Sequence, residues 1–230
     1  MPSLPFIEAV LAEPSGVQAR AVVFDIDNTV ADTRYRTLAV AAEFDARQGS
    51  AHFRDLTLAQ VGLDGASTAQ ASGAPPSVVS AFQQFWQSDE GFWSGAQFVH
   101  DRPLEPVASI ARRAEAAGIE VIWLTGRVQA LRAATERWLL AQRLCTRTLV
   151  CKQDLSVRTA RFKAEFLSQH CQTRSVGFFM TESARDIAAV QAVVPSLECV
   201  LVDFPQRDVG VLARETPLLG LDNLSGDPAS

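Results

Sequence analysis

Two aspartates one residue apart, Asp25 and Asp27, close the run Ala21-Val22-Val23-Phe24-Asp25-Ile26-Asp27-Asn28-Thr29-Val30. Side chains at i and i+2 of an extended backbone point the same way, so both carboxylates can face one site. Setting two acids at the end of a buried strand is costly unless a cation or a proton compensates. The pair therefore either does chemistry or is two solvated aspartates in a turn, and the spacing alone suits both.

The run Val121-Ile122-Trp123-Leu124-Thr125-Gly126-Arg127 is a second apolar strand, ending in a hydroxyl, a glycine and a guanidinium. A threonine hydroxyl and the free N–H groups at the start of a following helix can hold phosphate oxygens, and Gly126 allows close approach. Read singly, these three residues are a helix start, with Arg127 on its exposed first turn or in contact with a leaving group. Two polar clusters at the carboxyl ends of two strands point instead to a ligand site, because open α/β sheets bind there.

Positioning these groups requires a sheet. Five short apolar runs read as buried strands: Ala21–Asp25, Ile119–Leu124, Arg147–Cys151, Val176–Met180 and Cys199–Val202. Helical spacing follows the second, third and fourth, in Val128, Leu131, Thr135, Trp138 and Leu139, in Phe162 with Phe166, and in Ile187 with Val190. Strands alternating with helices predict an α/β fold, a Rossmann-like parallel sheet with helices on both faces. A helix starting near Asp101 and Pro103 and ending at Gly118 leads back to the sheet.

Between the first strand and that helix lies far more chain than the ~2 to 6 residues of an ordinary connection. The expected organisation is a discontinuous core, residues 1–31 and 101–230, and an inserted helical cap, residues 32–100. Residues 35–47 and 77–87 are the predicted cap helices, and the Gly-, Ala-, Ser- and Pro-rich stretch Gly62–Pro76 is predicted as a connecting loop. Phe82, Phe85, Trp86, Phe92 and Trp93 read as the core of the cap.

With D-x-D-x-T at one strand end and Thr125 at another, the sequence resembles the haloacid dehalogenase superfamily, in its phosphatase branch. The resemblance implies a lysine near a helix start after the next strand, which Lys163 matches better than Lys152, its rival nearer the strand end. It also implies an acidic pair after the following strand, supplied by Glu182 and Asp186. Glu182 departs from the usual aspartate, and Thr181 stands where the family often has Gly or Asp. The family's sheet order, with the first strand central between the second and fourth, would bring Asp25, Thr125 and Glu182 together.

The resemblance also implies a chemistry: Mg2+-dependent cleavage of a small-molecule phosphomonoester through an aspartyl-phosphate on Asp25. Asp27 would serve as acid and then base, and Lys163, Thr125 and Gly126 would bind the phosphate, with Arg127 at the substrate. Asp25, Asp27 through its carbonyl, Glu182 and Asp186 would hold the metal. Asp27 favours esters over haloacids, because a departing halide needs no proton. Phosphotransfer or mutase chemistry, a polynucleotide end phosphatase and a weakly active phospho-ligand-binding module are the alternatives.

Composition narrows the partners. The 230 residues are 47% hydrophobic, enough for one sizeable core. The formal charge of −5, from 21 basic and 26 acidic residues, argues against a nucleic-acid partner. No apolar run approaches the length of a membrane span and no basic residue precedes Arg20, so an unexported, cytoplasmic protein is expected. Cys145, Cys151, Cys171 and Cys199 form no C-x-x-C pair, and His52, His100 and His170 show no metal spacing.

Overall fold

The computed structural model describes residues 5–12, 20–205 and 218–219. In chain order the elements are α1 (Pro5–Ala12), β1 (Arg20–Phe24), β2 (Ala31–Asp32), α2 (Arg34–Gln48), α3 (Gly65–Ala71), α4 (Pro76–Gln87), β3 (Arg102–Pro103), α5 (Glu105–Ala116), β4 (Glu120–Val128), α6 (Arg132–Ala141), β5 (Thr148–Lys152), α7 (Thr159–Thr173), β6 (Ser175–Thr181), α8 (Ala184–Val193), β7 (Cys199–Val202) and β8 (Leu218–Leu219). They group into two compact units: Met1–Val30 with Leu104–Arg132 and Arg143–Ser230, and Ala31–Pro103 with Ala133–Gln142.

The first unit is an α/β fold around a sheet ordered β5-β4-β1-β6-β7-β8, with every neighbouring pair parallel. The five expected strands are present and β1 is central between β4 and β6; β8 adds a two-residue sixth strand at the edge. The β1 run Ala21-Val22-Val23-Phe24 is buried throughout, as a strand covered on both faces must be. Ala21 and Val23 pack with Leu167 of α7 and Ile187 and Val190 of α8. The alternate residue Phe24 meets Trp123 and Phe178, and Phe178 takes the edge of Phe6 from α1. The excursion after β1 closes on itself, because the Leu104 N–H donates to the Val30 carbonyl at 2.8 Å.

Two local expectations need correction here. Strand β4 runs on to Val128, with an irregularity in its pairing to β5 between Thr125 and Val128, so Thr125, Gly126 and Arg127 lie on a strand end. Helix α6 starts only at Arg132, after a single turn over Gln129–Leu131; continued pairing to β5 outcompetes helix initiation there. Helix α5 starts at Glu105, with Pro106 in its first turn, so the Asp101 start lies too early.

The second unit is helical apart from the antiparallel pair β2–β3. Helices α2 and α4 are present as predicted, and Phe44, Phe53, Phe82, Trp86 and Phe92 form the unit's apolar core with Phe85 packed against it, as a structural reading of these aromatics requires. Trp93 stays more exposed. The predicted loop Gly62–Pro76 contains α3, which a reciprocal cap initiates: Ser67 N donates to Asp64 Oδ1 at 2.7 Å and Asp64 N to Ser67 Oγ at 3.1 Å. Small residues hid this helix, since they form no apolar stripe. Residues 133–142, which the sequence places among the core helices, group with the second unit.

Candidate active site

All eight residues singled out by motif fall in the first unit, at or after the carboxyl ends of β1, β4, β5 and β6. The chain leaves β1 with the Asp25 N–H donating to the Met180 carbonyl at 2.9 Å, which ties this strand end to β6. A tight turn follows, in which the N–H groups of Thr29 and Val30 both donate to the Ile26 carbonyl at 3.2 and 2.9 Å. Asn28 takes the left-handed conformation this turn needs, at φ 57°, which asparagine tolerates better than most residues.

The centre of the site is one ammonium between two carboxylates. Lys163 Nζ lies 2.6 Å from Asp25 Oδ2 and 2.5 Å from Asp186 Oδ2, and all three side chains are buried. The Asp25 carboxylate is fixed further by the Ile26 N–H, which donates to Oδ1 at 2.8 Å, and by the Thr181 hydroxyl, 3.2 Å from Oδ2. A carboxylate held this way cannot turn freely, which suits a nucleophile that must meet phosphorus in line. Lys163 reaches it because α7 starts at Thr159, placing the lysine on the second turn. Asp186 is therefore not the solvated helix-face residue its position on α8 allows.

Glu182 is held by two threonines. Thr29 Oγ1 donates to Glu182 Oε2 at 2.8 Å and accepts the Glu182 N–H at 3.0 Å; Thr181 Oγ1 lies 3.3 Å from the same carboxylate oxygen. Neither threonine is among the site residues read from sequence, yet Thr29 is the closing residue of the first motif. Its place in that motif was the available signal, and in the structure it braces the longer side chain of Glu182. Ser183 caps α8, its side chain accepting the Asp186 N–H at 3.2 Å.

Of the two positions open to Arg127, the exposed first turn of a helix is ruled out, since the residue is buried and on a strand end. It grips Asp27 through both oxygens, Nε to Oδ2 at 3.0 Å and Nη2 to Oδ1 at 2.7 Å. The Asp27 side chain retains 20% exposure, against 7% for Asp25 and Asp186, so among these three it is the acid best placed to meet solvent or a leaving group. Thr125 accepts the Arg127 N–H at 3.2 Å, which leaves its hydroxyl proton to donate to a ligand. Gly126 has a packing reason: a Cβ there would come within 2.9 Å of Thr159 Cγ2, so the glycine admits the start of α7.

The electrostatics are unbalanced. Burial raises the Asp25 pKa against the opposing pull of Lys163, and the Asp186 charge raises it further. Burial and the Asp25 charge push Glu182 well above the usual carboxylate range. Burial alone would lower Lys163, but Asp25 and Asp186 outweigh it and hold the ammonium charged. Four carboxylates, Asp25, Asp27, Glu182 and Asp186, are gathered about Lys163 and Arg127, a concentration of negative charge for which a hard divalent cation is the natural partner. The donors are all oxygens, so the chemistry fits magnesium. Among the described residues no three acids, histidines or cysteines are gathered as a ready cluster, and Lys163 stands between Asp25 and Asp186.

No protein-family model matches the sequence, and no curated protein sequence matches it. Solved structures do. A haloacid dehalogenase-like hydrolase from Streptococcus pneumoniae superposes with a TM-score of 0.59 at 10% identity, over 87% of this chain and 92% of that one. Protein tyrosine kinase A from Mycobacterium tuberculosis gives 0.56 at 14% identity, over 91% and 96%. A candidate phosphatase from Clostridium difficile gives 0.56 at 11% identity, over 84% and 89%. At such identities the likeness is one of fold.

Proposed function

The chain has the fold of the haloacid dehalogenase-like hydrolases, and on that premise we propose that it is a magnesium-dependent phosphohydrolase acting on a small-molecule phosphomonoester. The observation that carries the reading is the buried Asp25–Lys163–Asp186 arrangement, with Glu182 braced beside it by Thr29 and Thr181. A fixed acid beside a fixed cation, at the carboxyl end of a central parallel strand, is suited to covalent phosphoryl transfer.

Asp25 attacks phosphorus in line; the P–O bond to the alcohol breaks as the carboxylate–phosphorus bond forms, giving an aspartyl-phosphate. Asp27 gives its proton to the departing alkoxide oxygen, then takes one from the water that attacks the aspartyl-phosphate, releasing inorganic phosphate and free Asp25. Both Asp27 oxygens are engaged by Arg127, so giving a proton requires one of these hydrogen bonds to yield. Lys163 stays charged through the cycle and offsets the repulsion between Asp25 and the phosphate. Thr125 and the backbone at Gly126 bind phosphate oxygens. Asp25, the Asp27 carbonyl and Glu182 would hold Mg2+, with Asp186 acting on Lys163; the bound ion supplies charge neutralisation between nucleophile and phosphate.

A cytoplasmic setting belongs to this reading, supported by four free cysteines; no helix among the described residues is long and apolar enough to cross a membrane. Phosphotransfer to a second substrate is the rival, and the fold likeness to a protein tyrosine kinase favours keeping it. A screen of phosphorylated metabolites with Mg2+, with Asp25→Asn as the blank, tests the proposal. Phosphate release is expected, falling by about 10⁴-fold or more in Asp25→Asn. Undiminished release by the variant would remove Asp25 as nucleophile, and label passing to an acceptor rather than to water would make the protein a transferase.

A further inference from the structure

Lys152, the last residue of β5, is a third buried cation at this end of the sheet, beside Lys163 and Arg127. It is 6% exposed and lies in register with Val128, three residues beyond Thr125 on the neighbouring strand. Its Nζ donates to the Val157 carbonyl at 3.2 Å, and among the described residues no carboxylate forms an ion pair with it. An ammonium carries three donors, so two remain. Asp154 is near enough to act on its charge but is exposed and spends one oxygen on the Ser156 N–H and hydroxyl, at 2.7 and 2.5 Å. Lys163 and Asp186 also lie within electrostatic reach.

Keeping a charge out of water without a carboxylate in direct contact is costly, and a lysine used only to hold the 153–158 loop could be replaced by a neutral donor at less expense. The role for which Lys152 is the rival, as the lysine beside the nucleophile, is filled by Lys163 as expected. We infer that Lys152 is a specificity-determining residue that binds a second anionic group of the substrate, a phosphate or carboxylate distinct from the phosphoryl group that is cleaved. The inference rests on the phosphohydrolase reading for its substrate class, and it predicts a doubly anionic substrate.

The test pairs matched compounds, fructose 1,6-bisphosphate against fructose 6-phosphate and 3-phosphoglycerate against glycerol 3-phosphate, with wild type and Lys152→Met in Mg2+. Wild type should turn over the doubly anionic member of at least one pair about tenfold or more better in kcat/KM, the range of a charge-assisted hydrogen bond. Lys152→Met should bring that ratio close to one while leaving the singly anionic compound unchanged and the melting temperature no lower. Turnover without preference in wild type, or an equal loss on both members in the variant, overturns the inference and leaves the phosphohydrolase reading standing. If wild type hydrolyses none of the four, thermal shifts decide the inference: greater stabilisation of wild type than of Lys152→Met by the doubly anionic compounds supports it and equal shifts overturn it, while the hydrolase reading stands or falls by the wider metabolite screen.

Discussion

Two regions of this molecule bury charge, and they do it differently. In the second unit Arg36 is fully buried, its guanidinium bonded through Nε and Nη2 to both oxygens of Asp101 and stacked against Phe92 and Phe98, at 4.3 and 4.4 Å from the ring centroids. Arg34 engages both oxygens of Asp32 at 2.9 and 2.7 Å. Each cation there has its own carboxylate. At the carboxyl end of the first unit's sheet, one ammonium serves Asp25 and Asp186, and among the described residues the Glu182 carboxylate is hydrogen-bonded only by the hydroxyls of Thr29 and Thr181. Balanced burial fixes a structure; unbalanced burial stores a demand for a ligand.

The contrast breaks most easily at Arg36. Arg36→Met leaves Asp101 buried without its cation and should cost about 3–5 kcal/mol, a fall in melting temperature of roughly ten degrees for a chain of this size. A loss under about 1 kcal/mol in denaturant melts would mean that this pair is not the structural element its burial suggests. The smaller opposite effect belongs to Glu182. Glu182→Gln removes a carboxylate whose ionised form burial and Asp25 disfavour, so without metal at pH 8 the protein should melt about 2–4 °C higher, a gain on the order of 1 kcal/mol. The same variant should lose most of the Mg2+-induced rise in melting temperature. Destabilisation comparable to Arg36→Met would erase the distinction between the regions.

A slighter and more diagnostic effect is the pH dependence. Asp25 and Glu182 both have folded-state pKa values raised above their unfolded ones. A raised pKa means that the native state binds more protons, so their contribution is complete below an unfolded value of about 4 and is lost as pH climbs through the raised values. Metal-free stability from this cluster should therefore fall between pH 5 and pH 8, and Mg2+ should restore more at pH 8 than at pH 5. Urea melts in EDTA at the two pH values check this, with Glu182→Gln expected to flatten the difference. A steeper loss in the variant would place the titrating groups elsewhere.

The local parts of this site were legible in the chain. Strand runs, the strand-end positions of Asp25, Asp27 and Thr125, and the helical position of Lys163 follow from periodicity and motif spacing, because backbone direction is decided over a few residues. Helix α3 escaped since its small residues carry no stripe, and the extension of β4 escaped since pairing with a neighbour decides where a strand ends. Sequence also could not say which charge meets which. Arg127 with Asp27, Lys163 with Asp186, and Glu182 with Thr29 join residues up to 153 positions apart. Such pairings are settled by distance and desolvation in the packed state, two quantities that the order of residues along a chain does not contain.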